Sequence, residues 1–173
     1  MLYLTEAQLR QIQNHAERTY PEECCGLLLG QIKGEVDRSP NPSPHKQITE
    51  IWETHNAWTP ETTADLALQI PAAQITEGAK LDRYWIDPKD LLKAQRYCRD
   101  RGWSVLGIYH SHPDHVALPS ECDRLLAWAE YVYIIVSVHQ GKTQDVRGWQ
   151  LDENHQFQPV ELLTTETDLP QHS

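Results

Sequence analysis

Apolar residues recur every three to four positions near the start of the chain, which is the spacing of one face of a helix. Thr5 followed by Gln8 is the spacing of a capping box, in which each side chain bonds the other residue's backbone N–H group at a helix start. The apolar positions that follow are Leu9, Ile12 and Ala16. The pattern therefore predicts an amphipathic helix over residues 5–19, and Pro21 is placed to end it.

A second helix is predicted to begin after Asp87. This residue is suited to cap the helix, Pro88 is suited to its first position and Gly102 to its stop. The side predicted to be buried carries Leu91, Leu92, Ala94 and Cys98.

Short apolar runs bounded by glycine, proline or polar residues predict β-strands. The runs cover residues 24–32, 48–58, 103–112, 131–138 and 144–151, and a closing strand is predicted near residues 157–163. Residues 131–138 have the β-branched composition of an interior strand. Between the third and fourth runs, a loop over residues 113–119 leads into a short helix predicted from Ser120 to Glu130.

Three other segments lack the period of a helix or a strand. Residues 39–47 contain three prolines, which remove backbone donors and predict a loop. Residues 59–80 have polar ends and a central Pro71, so we predict an excursion from the domain. Residues 164–173 carry too little apolar surface to offset the cost of ordering, which predicts a frayed tail. A single domain is thus expected over residues 1–163 of the 173.

The net charge of the chain limits its partners. A charge of −10 repels phosphate backbones and anionic lipids, so we expect neither a nucleic acid nor a membrane as partner. The start MLYLTEAQLR lacks a basic segment followed by a long apolar one, which predicts a cytoplasmic protein. The four cysteines lack C-x-x-C spacing, which favours reduced and mostly buried thiols. The sequence does not determine the oligomeric state.

Two histidines and one aspartate have the spacing of metal ligands. His110 and His112 lie two positions apart on a predicted strand, so both imidazoles project from the same face. Asp123 lies in the first turn of the following helix, within reach as a third ligand. Two neutral imidazoles and one carboxylate leave a fourth position for water, which is typical of catalytic zinc. The sequence therefore predicts one zinc ion per chain.

Hydrolysis at such a site also needs a carboxylate that takes a proton from the water and passes it to the leaving amine. Glu22 and Glu23, at the start of the first predicted strand, are both candidates for this general base.

Each of these residues also has a purely structural interpretation. Ser120 and Asp123 have the spacing of an ordinary helix cap, and an isolated His-x-His pair is more often a surface or core feature than a metal site. Cys122 is expected to be a packed thiol, because neighbouring helix residues point about 100° apart. His115 is predicted to be a loop residue. Six further histidines show no ligand spacing and are predicted at the surface: His15, His45, His55, His139, His155 and His172.

Taken together, two blocks of sequence resemble the JAMM (MPN+) metallopeptidases. GIYHSHPDHVALPSECD has the pattern H-S-H-P, six residues, S-x-x-D, and EECCGLLLG resembles the upstream E-x-x-G strand of the family. With the helix over residues 88–101, the strand over residues 103–110 and Asn56, the resemblance to stand-alone prokaryotic members covers nearly residues 1–150. The glutamate of the family precedes the glycine by three positions, which assigns the general base to Glu23 and leaves Glu22 as the fallback.

The resemblance implies a fold and a reaction. The fold is one α/β domain with a mixed β-sheet flanked by helices, of the cytidine-deaminase-like JAMM type. The reaction is zinc-dependent hydrolysis of the (iso)peptide bond after the C-terminal Gly-Gly of a ubiquitin-like or sulfur-carrier protein. The metal ligands are then His110, His112 and Asp123, and Ser120 donates a hydrogen bond to the oxyanion. We also expect a narrow cleft lined by an edge strand, where only glycines let the substrate backbone pass close to the metal.

Three other functions compete with this hypothesis. A non-catalytic MPN scaffold would lack ligands that this chain has. A zinc deaminase acting on a nucleobase needs H-x-E together with P-C-x-x-C, a combination that is absent. A zinc peptidase of a phage-tail or cell-wall system usually comes with a partner domain or an export signal, and neither is visible in the sequence.

Overall fold

The computed structural model describes residues 1–34, 45–59, 61 and 83–166. Its elements are, in chain order, β1 (Leu2–Thr5), α1 (Glu6–Thr19), β2 (Cys25–Lys33), β3 (His45–Thr54), α2 (Pro88–Arg99), β4 (Ser104–Pro113), α3 (Glu121–Leu126), β5 (Val132–His139), β6 (Lys142–Leu151), β7 (Phe157–Val160) and β8 (Leu162–Thr165). In the described part of the chain, no helix is long and apolar enough to cross a membrane.

The strands form one mixed sheet in the order β7-β6-β5-β4-β2-β3-β1-β8. Strands β4 and β5 are parallel, and β1 is parallel to both β3 and β8, whereas the remaining neighbours are antiparallel. The predicted α/β fold with a mixed sheet and flanking helices is therefore confirmed. Because β4 lies between β2 and β5, the strand with the two candidate histidines is interior.

The two edges of the sheet come together around α1. Strands β7 and β8 lie at opposite edges, yet only Glu161 separates them in sequence, so the sheet has to curl. The Leu2 N–H donates to the Glu161 carbonyl at 2.9 Å and fixes this junction. Helix α1 packs inside the curl against β1, β3, β4, β5, β6 and β8. Its buried Ile12 and Ala16 join the larger apolar core there.

Helix α1 begins where the sequence pattern predicts it. The Thr5 hydroxyl accepts from the Gln8 backbone N–H at 3.1 Å, and the Gln8 side-chain oxygen Oε1 accepts from the Thr5 N–H at 2.8 Å. The predicted capping box is thus present. The Gln8 amide also donates to the Thr49 carbonyl at 3.0 Å and thereby ties the helix start to β3.

Helix α2 covers the other face of the sheet at β2 and β4. Asp87 caps it through the Lys89 N–H, and Pro88 is its first residue, as the sequence predicts. Ala94 and Cys98 pack on a smaller core with Leu27 and Leu29. The predicted burial of Leu92 is wrong, because its side chain points to solvent.

Three predicted boundaries are wrong, and the first is explained by pairings with distant residues. Residues 45–47, predicted as loop, are strand, since they pair with residues 31–33 of β2 and with β1, which the pattern did not predict. That strand ends at Thr54 rather than at residue 58. The helix predicted to reach Glu130 ends at Leu126, where Ala127 becomes extended and the Trp128 N–H donates to the Tyr133 hydroxyl.

The predicted frayed tail is wrong for its first residues. Thr164 and Thr165 pair with Leu4 and Thr5 of β1. Residues 167–173 lie outside the described residues, as do residues 39–44 of the predicted proline loop. The predicted excursion over residues 59–80 also lies outside them, apart from residues 59 and 61.

His15 is part of the core and not of the surface as predicted. Its Nδ1 lies 2.8 Å from the hydroxyl of Tyr109, which is fully buried. Burial lowers the pKa of His15, so the imidazole is neutral within the core. The signal was in the sequence, because His15 follows Ile12 by three positions on the apolar face of the helix.

The remaining histidines and the cysteines mostly follow the predictions. His55, His139 and His155 are exposed, whereas His45 is half-buried, and His172 lies outside the described residues. All four cysteines are free thiols, of which Cys24, Cys25 and Cys98 are buried and Cys122 is half-buried. Burial raises the pKa of the Cys24 thiol to about 12, which leaves it unreactive at neutral pH.

Candidate functional site

The site lies where β4 ends, on the face of the sheet that also carries Ile108. His110 and His112 both project there, as their spacing predicts, and their Nε2 atoms are 3.0 Å apart. His110 is 0% exposed and His112 is buried as well. Strands β2 and β5 hold this part of β4 from both sides, with Cys25 opposite His110 in the ladder. The two rings are therefore fixed by an interior strand.

Asp123 reaches the histidines from the first turn of α3. One carboxylate oxygen lies 3.3 Å from the His110 Nε2, and the other lies 3.4 Å from the His112 Nε2. The ligand atoms of all three residues lie within 4.8 Å of one another. The structure thus brings together the three residues that the sequence predicts as metal ligands.

Ser120 caps α3 and at the same time holds Asp123. The Asp123 N–H donates to the Ser120 hydroxyl oxygen at 3.1 Å. In return, the Ser120 N–H at 2.6 Å and the Ser120 hydroxyl at 2.7 Å both donate to the Asp123 carboxylate. The same hydrogen bonds therefore cap the helix and hold the candidate ligand Asp123 in place.

A backbone carbonyl selects the tautomer of His112. The His112 Nδ1 lies 3.0 Å from the Val116 carbonyl, which can only accept, so the ring proton is on Nδ1. The Nε2 then presents a lone pair towards His110 and Asp123. An acceptor of this kind behind an imidazole is the usual support of a metal-ligating histidine.

The charge states in the cluster suit a cation. Burial lowers the pKa of His110, which keeps this imidazole neutral at pH 7. Burial by itself would raise the pKa of Asp123, but the adjacent His110 and His112 imidazoles hold it well below its usual range. The cluster therefore combines a neutral imidazole at His110 and the imidazole of His112 with one ionised carboxylate.

This donor set fits a bound zinc ion. Ligand atoms 3.0 to 3.4 Å apart face one another closely enough for one cation placed between them to contact all of them. His110 Nδ1 is buried without a hydrogen-bond partner among the described residues, so the ring is held instead by packing. Two imidazoles and one carboxylate are among the ligand sets of catalytic zinc.

The structure distinguishes the two candidate glutamates. Cys25 pairs with His110, and side chains two positions apart share a face, so Glu23 lies on the face of the site. Glu23 is 5% exposed, whereas Glu22 is exposed to solvent. Glu23 also lines a cavity beside the metal ligands, and Glu22 does not.

The cavity beside the ligands is small. Its volume is about 10 Å³, on the order of the space for one water molecule. The lining residues are Glu23, Arg83, Tyr84, Ser120, Cys122, Asp123 and Leu126. A candidate general base, a hydroxyl and a candidate metal ligand thus face one shared space, and Cys122 contacts that space without belonging to the ligand cluster.

Sequence reasoning missed two residues of the site. The ring of Tyr84 stacks on the imidazole of His110, with 4.4 Å between the ring centres and 23° between the planes. Tyr84 precedes α2 in a segment without periodicity, so no local signal pointed to it. Asn56 was noted only within the resemblance, yet it bonds the backbones of both Glu23 and Arg83.

The glycine of the E-x-x-G block is explained by close packing. A Cβ at Gly26 would lie 2.3 Å from the ring of Tyr109 and 2.4 Å from the Trp52 carbonyl oxygen. Neither group can move far, because the Trp52 oxygen belongs to the backbone and the Tyr109 side chain is fully buried and bonded to His15. Gly26 therefore lets β2 approach its neighbours three residues after Glu23.

Comparisons with known proteins agree with this site. Residues 5–152 match the family of prokaryotic homologs of the JAB domain. A probable TtuB-protein conjugate cleaving protease of Thermus thermophilus is 29% identical over 163 residues, which are 94% of this chain and 84% of that protein. A desampylase of Haloferax volcanii is 38% identical over 55 residues, 31% of this chain and 40% of that protein.

The fold is shared with solved structures. A protein of Desulfitobacterium hafniense, known from its solution structure, aligns with a TM-score of 0.71 over 96% of this chain and 94% of its own. At 23% identity this likeness concerns the fold alone. The family match covers most of the chain, including both of its motif blocks. This chain belongs to the prokaryotic JAB-domain family, in agreement with its resemblance to the JAMM (MPN+) proteins.

Proposed function

We propose that the chain is a zinc-dependent hydrolase of (iso)peptide bonds that cuts after the C-terminal Gly-Gly of a ubiquitin-like or sulfur-carrier protein. The observation that carries this proposal is the convergence of His110, His112 and Asp123 beside a cavity that Glu23 also lines. A cytoplasmic location, expected from the sequence, goes with this proposal.

The relatives support the class of substrate. One is named for cleaving TtuB-protein conjugates and the other is named a desampylase, so both names describe the removal of a small protein from a conjugate. By extension, the partner of this chain is a ubiquitin-like protein joined to an amine. The net charge of −10 favours a partner whose contact surface is not strongly acidic.

The metal ligands would be His110, His112 and Asp123. When bound, the zinc ion supplies a Lewis acid that polarises the scissile carbonyl and lowers the pKa of a bound water to about 7. The residues of the chain then have to hold the substrate, exclude other water and move protons. Burial of all three ligands meets the second requirement.

Glu23 moves the protons. Its carboxylate takes a proton from the attacking water and then gives a proton to the departing amine, so that the amine leaves neutral. Glu23 suits this role because it is buried within the same cavity as Asp123 and Ser120. Glu22 is turned to solvent and cannot reach this cavity without a change of the backbone.

Ser120 can serve in either of two ways. A hydroxyl has one proton, and in the structure that proton is directed at the Asp123 carboxylate. In this state Ser120 orients a ligand. To donate to an oxyanion, the hydroxyl has to rotate away from Asp123, which keeps a second hydrogen bond from the Ser120 N–H.

The full ligand set argues against the rival scaffold function, because a scaffold has no need of ionised and neutral donors aimed at one point. A peptidase of a phage-tail or cell-wall system would use the same metal chemistry on other substrates. The substrate experiment below distinguishes it.

We expect Asp123→Ala to remove zinc. The two histidines that remain provide no negative charge and only two donors, so the affinity for zinc falls sharply. Zinc per chain, measured on purified protein by atomic emission, is expected near one for the wild type and near zero for the variant. A variant that keeps one zinc would show that the ligand set is wrong.

We expect Glu23→Gln to keep zinc and fold but to lose turnover. The amide has the size of the carboxylate and cannot accept the proton. Glu22→Gln is the matched control, since it makes the same change one residue away on an exposed side chain. Full activity in Glu23→Gln together with loss in Glu22→Gln would move the general base to Glu22.

We expect Ser120→Ala to keep zinc while lowering kcat by about 10²–10³-fold if the hydroxyl serves the oxyanion. The loss of the cap costs about 1 kcal/mol of folding free energy in either case. Thermal melting and steady-state rates on the same sample separate the roles. A lower melting temperature with an unchanged kcat would restrict Ser120 to supporting α3 and Asp123.

The substrate class is tested with three sets of substrates. These are sulfur-carrier proteins extended beyond Gly-Gly, the same carriers with the last glycine changed to alanine, and linked ubiquitin chains. We expect cleavage after Gly-Gly that a chelator abolishes, and loss of cleavage with alanine because only glycine, which has no Cβ, lets the substrate backbone pass close to the ligands. Indifference to the alanine or preference for ubiquitin chains would contradict the sulfur-carrier assignment. No cleavage of any of the three would contradict the proposed function.

A further inference from the structure

A single buried amide joins three segments around the site. Asn56 is 5% exposed and follows β3. Its Nδ2 donates to the carbonyls of Glu23 at 3.0 Å and Arg83 at 2.9 Å. Its Oδ1 accepts from the N–H groups of Trp58 at 3.0 Å and Trp85 at 3.1 Å. Both protons and both lone pairs of the amide are therefore in use.

The groups that Asn56 bonds lie outside the helices and strands. Glu23 precedes β2, and residues 83–85 precede α2, so neither carbonyl has a place in a sheet ladder or a helix. One backbone bond, from the Ala57 N–H to the Trp85 carbonyl at 2.9 Å, joins the segment of Asn56 itself to residues 83–85. The Asn56 side chain thus supplies these backbone groups with the hydrogen bonds that helices and sheets supply elsewhere in the domain.

Each of these segments carries a side chain of the proposed active site. The segment at residue 23 carries the proposed general base. The segment at residues 83–85 carries Tyr84, whose ring stacks on the ligand His110, and both Arg83 and Tyr84 line the cavity. One amide therefore fixes the base and the opposite wall of the cavity relative to each other.

We propose that Asn56 is a positioning residue, which sets the distance between the Glu23 carboxylate and the metal ligands through its bonds to the Glu23 and Arg83 carbonyls. This proposal rests on the proposed function. Proton transfer requires the base within hydrogen-bond reach of the attacking water, and a displacement of about 1 Å in an active site can lower the rate about 10²-fold.

Two variants separate the hydrogen bonds that the Asn56 amide donates from those that it accepts. Asn56→Ala removes all four hydrogen bonds. Asn56→Asp has nearly the same shape and still accepts from the Trp58 and Trp85 N–H groups, but it places a carboxylate oxygen against the Glu23 and Arg83 carbonyls, where it cannot donate. A rate loss in Asn56→Asp therefore reports on the bonds to Glu23 and Arg83.

Gln8→Ala is the matched control. The Gln8 amide also joins separate backbone segments, since it accepts from the Thr5 N–H and donates to the Thr49 carbonyl. It lies at the start of α1 and lines no part of the cavity. A general loss of stability thus affects both sites, whereas a positioning effect is confined to Asn56.

The experiment measures kcat, KM, bound zinc and amide hydrogen exchange in all three variants. We expect kcat to fall about 10- to 100-fold in Asn56→Ala and at least as far in Asn56→Asp, with KM within about threefold and one zinc retained. We expect Gln8→Ala to melt at a lower temperature with an unchanged kcat. Exchange at the Trp58 and Trp85 amides is expected to accelerate in Asn56→Ala and to stay slow in Asn56→Asp.

Two results would overturn the proposal. One is a kcat for Asn56→Asp equal to that of the wild type, and the other is a kcat loss in Gln8→Ala as large as that in Asn56→Ala. If the wild type cleaves no Gly-Gly substrate, the proposed function has failed. Amide hydrogen exchange then still tests whether Asn56 holds these segments together. Unchanged exchange at Trp58 and Trp85 in Asn56→Ala would then show that the amide does not hold these segments.

Discussion

The close approach of three candidate metal ligands is the constraint on which the site depends. The Nε2 atoms of His110 and His112 lie 3.0 Å apart, and the Asp123 carboxylate lies 3.3 to 3.4 Å from each. In an isolated peptide the two rings would be free to turn away from each other. Here an interior strand fixes both histidines, and the Val116 carbonyl fixes the proton of His112 on the outer nitrogen. The fold thus maintains an arrangement that a cation stabilises.

The support of Asp123 shows that stability and function need not use different bonds. Ser120 begins α3 and is the donor to the Asp123 carboxylate, so the cap that starts the helix also aims the ligand. A short helix gains little from its own backbone bonds, and its start is held mainly by such caps. The S-x-x-D spacing is therefore common as a cap, and it becomes part of a candidate metal site here only because β4 brings two histidines to the same point.

The parts of the fold that the sequence predicted correctly are those with local signals. The capping boxes at Thr5 and Ser120, the Asp87–Pro88 start and the His110–His112 alternation all depend on residues within a few positions of each other. The start of β3, the pairing of β8 with β1 and the curl around α1 depend on partners far away in the chain. The stacking of Tyr84 on His110 is of the same kind. Periodicity within a window does not contain the information needed to predict these long-range pairings.

In the proposed function, the size of the cavity connects substrate entry to the placement of the base. About 10 Å³ admits a water molecule but not a peptide bond with its neighbours, so binding of the proposed substrate would have to displace part of the wall. Asp123 and Ser120 are held by a helix cap, and His110 by an interior strand, whereas Arg83 and Tyr84 lie on backbone outside any helix or strand. The wall that lacks the hydrogen bonds of a helix or strand is therefore the one bonded to Asn56. Because the same amide bonds the Glu23 carbonyl, a substrate that displaced Tyr84 from His110 would also act on the position of the proposed base. In the proposed function, substrate entry and proton transfer thus depend on a common set of hydrogen bonds, although the residues involved are separated by about 60 positions in the sequence.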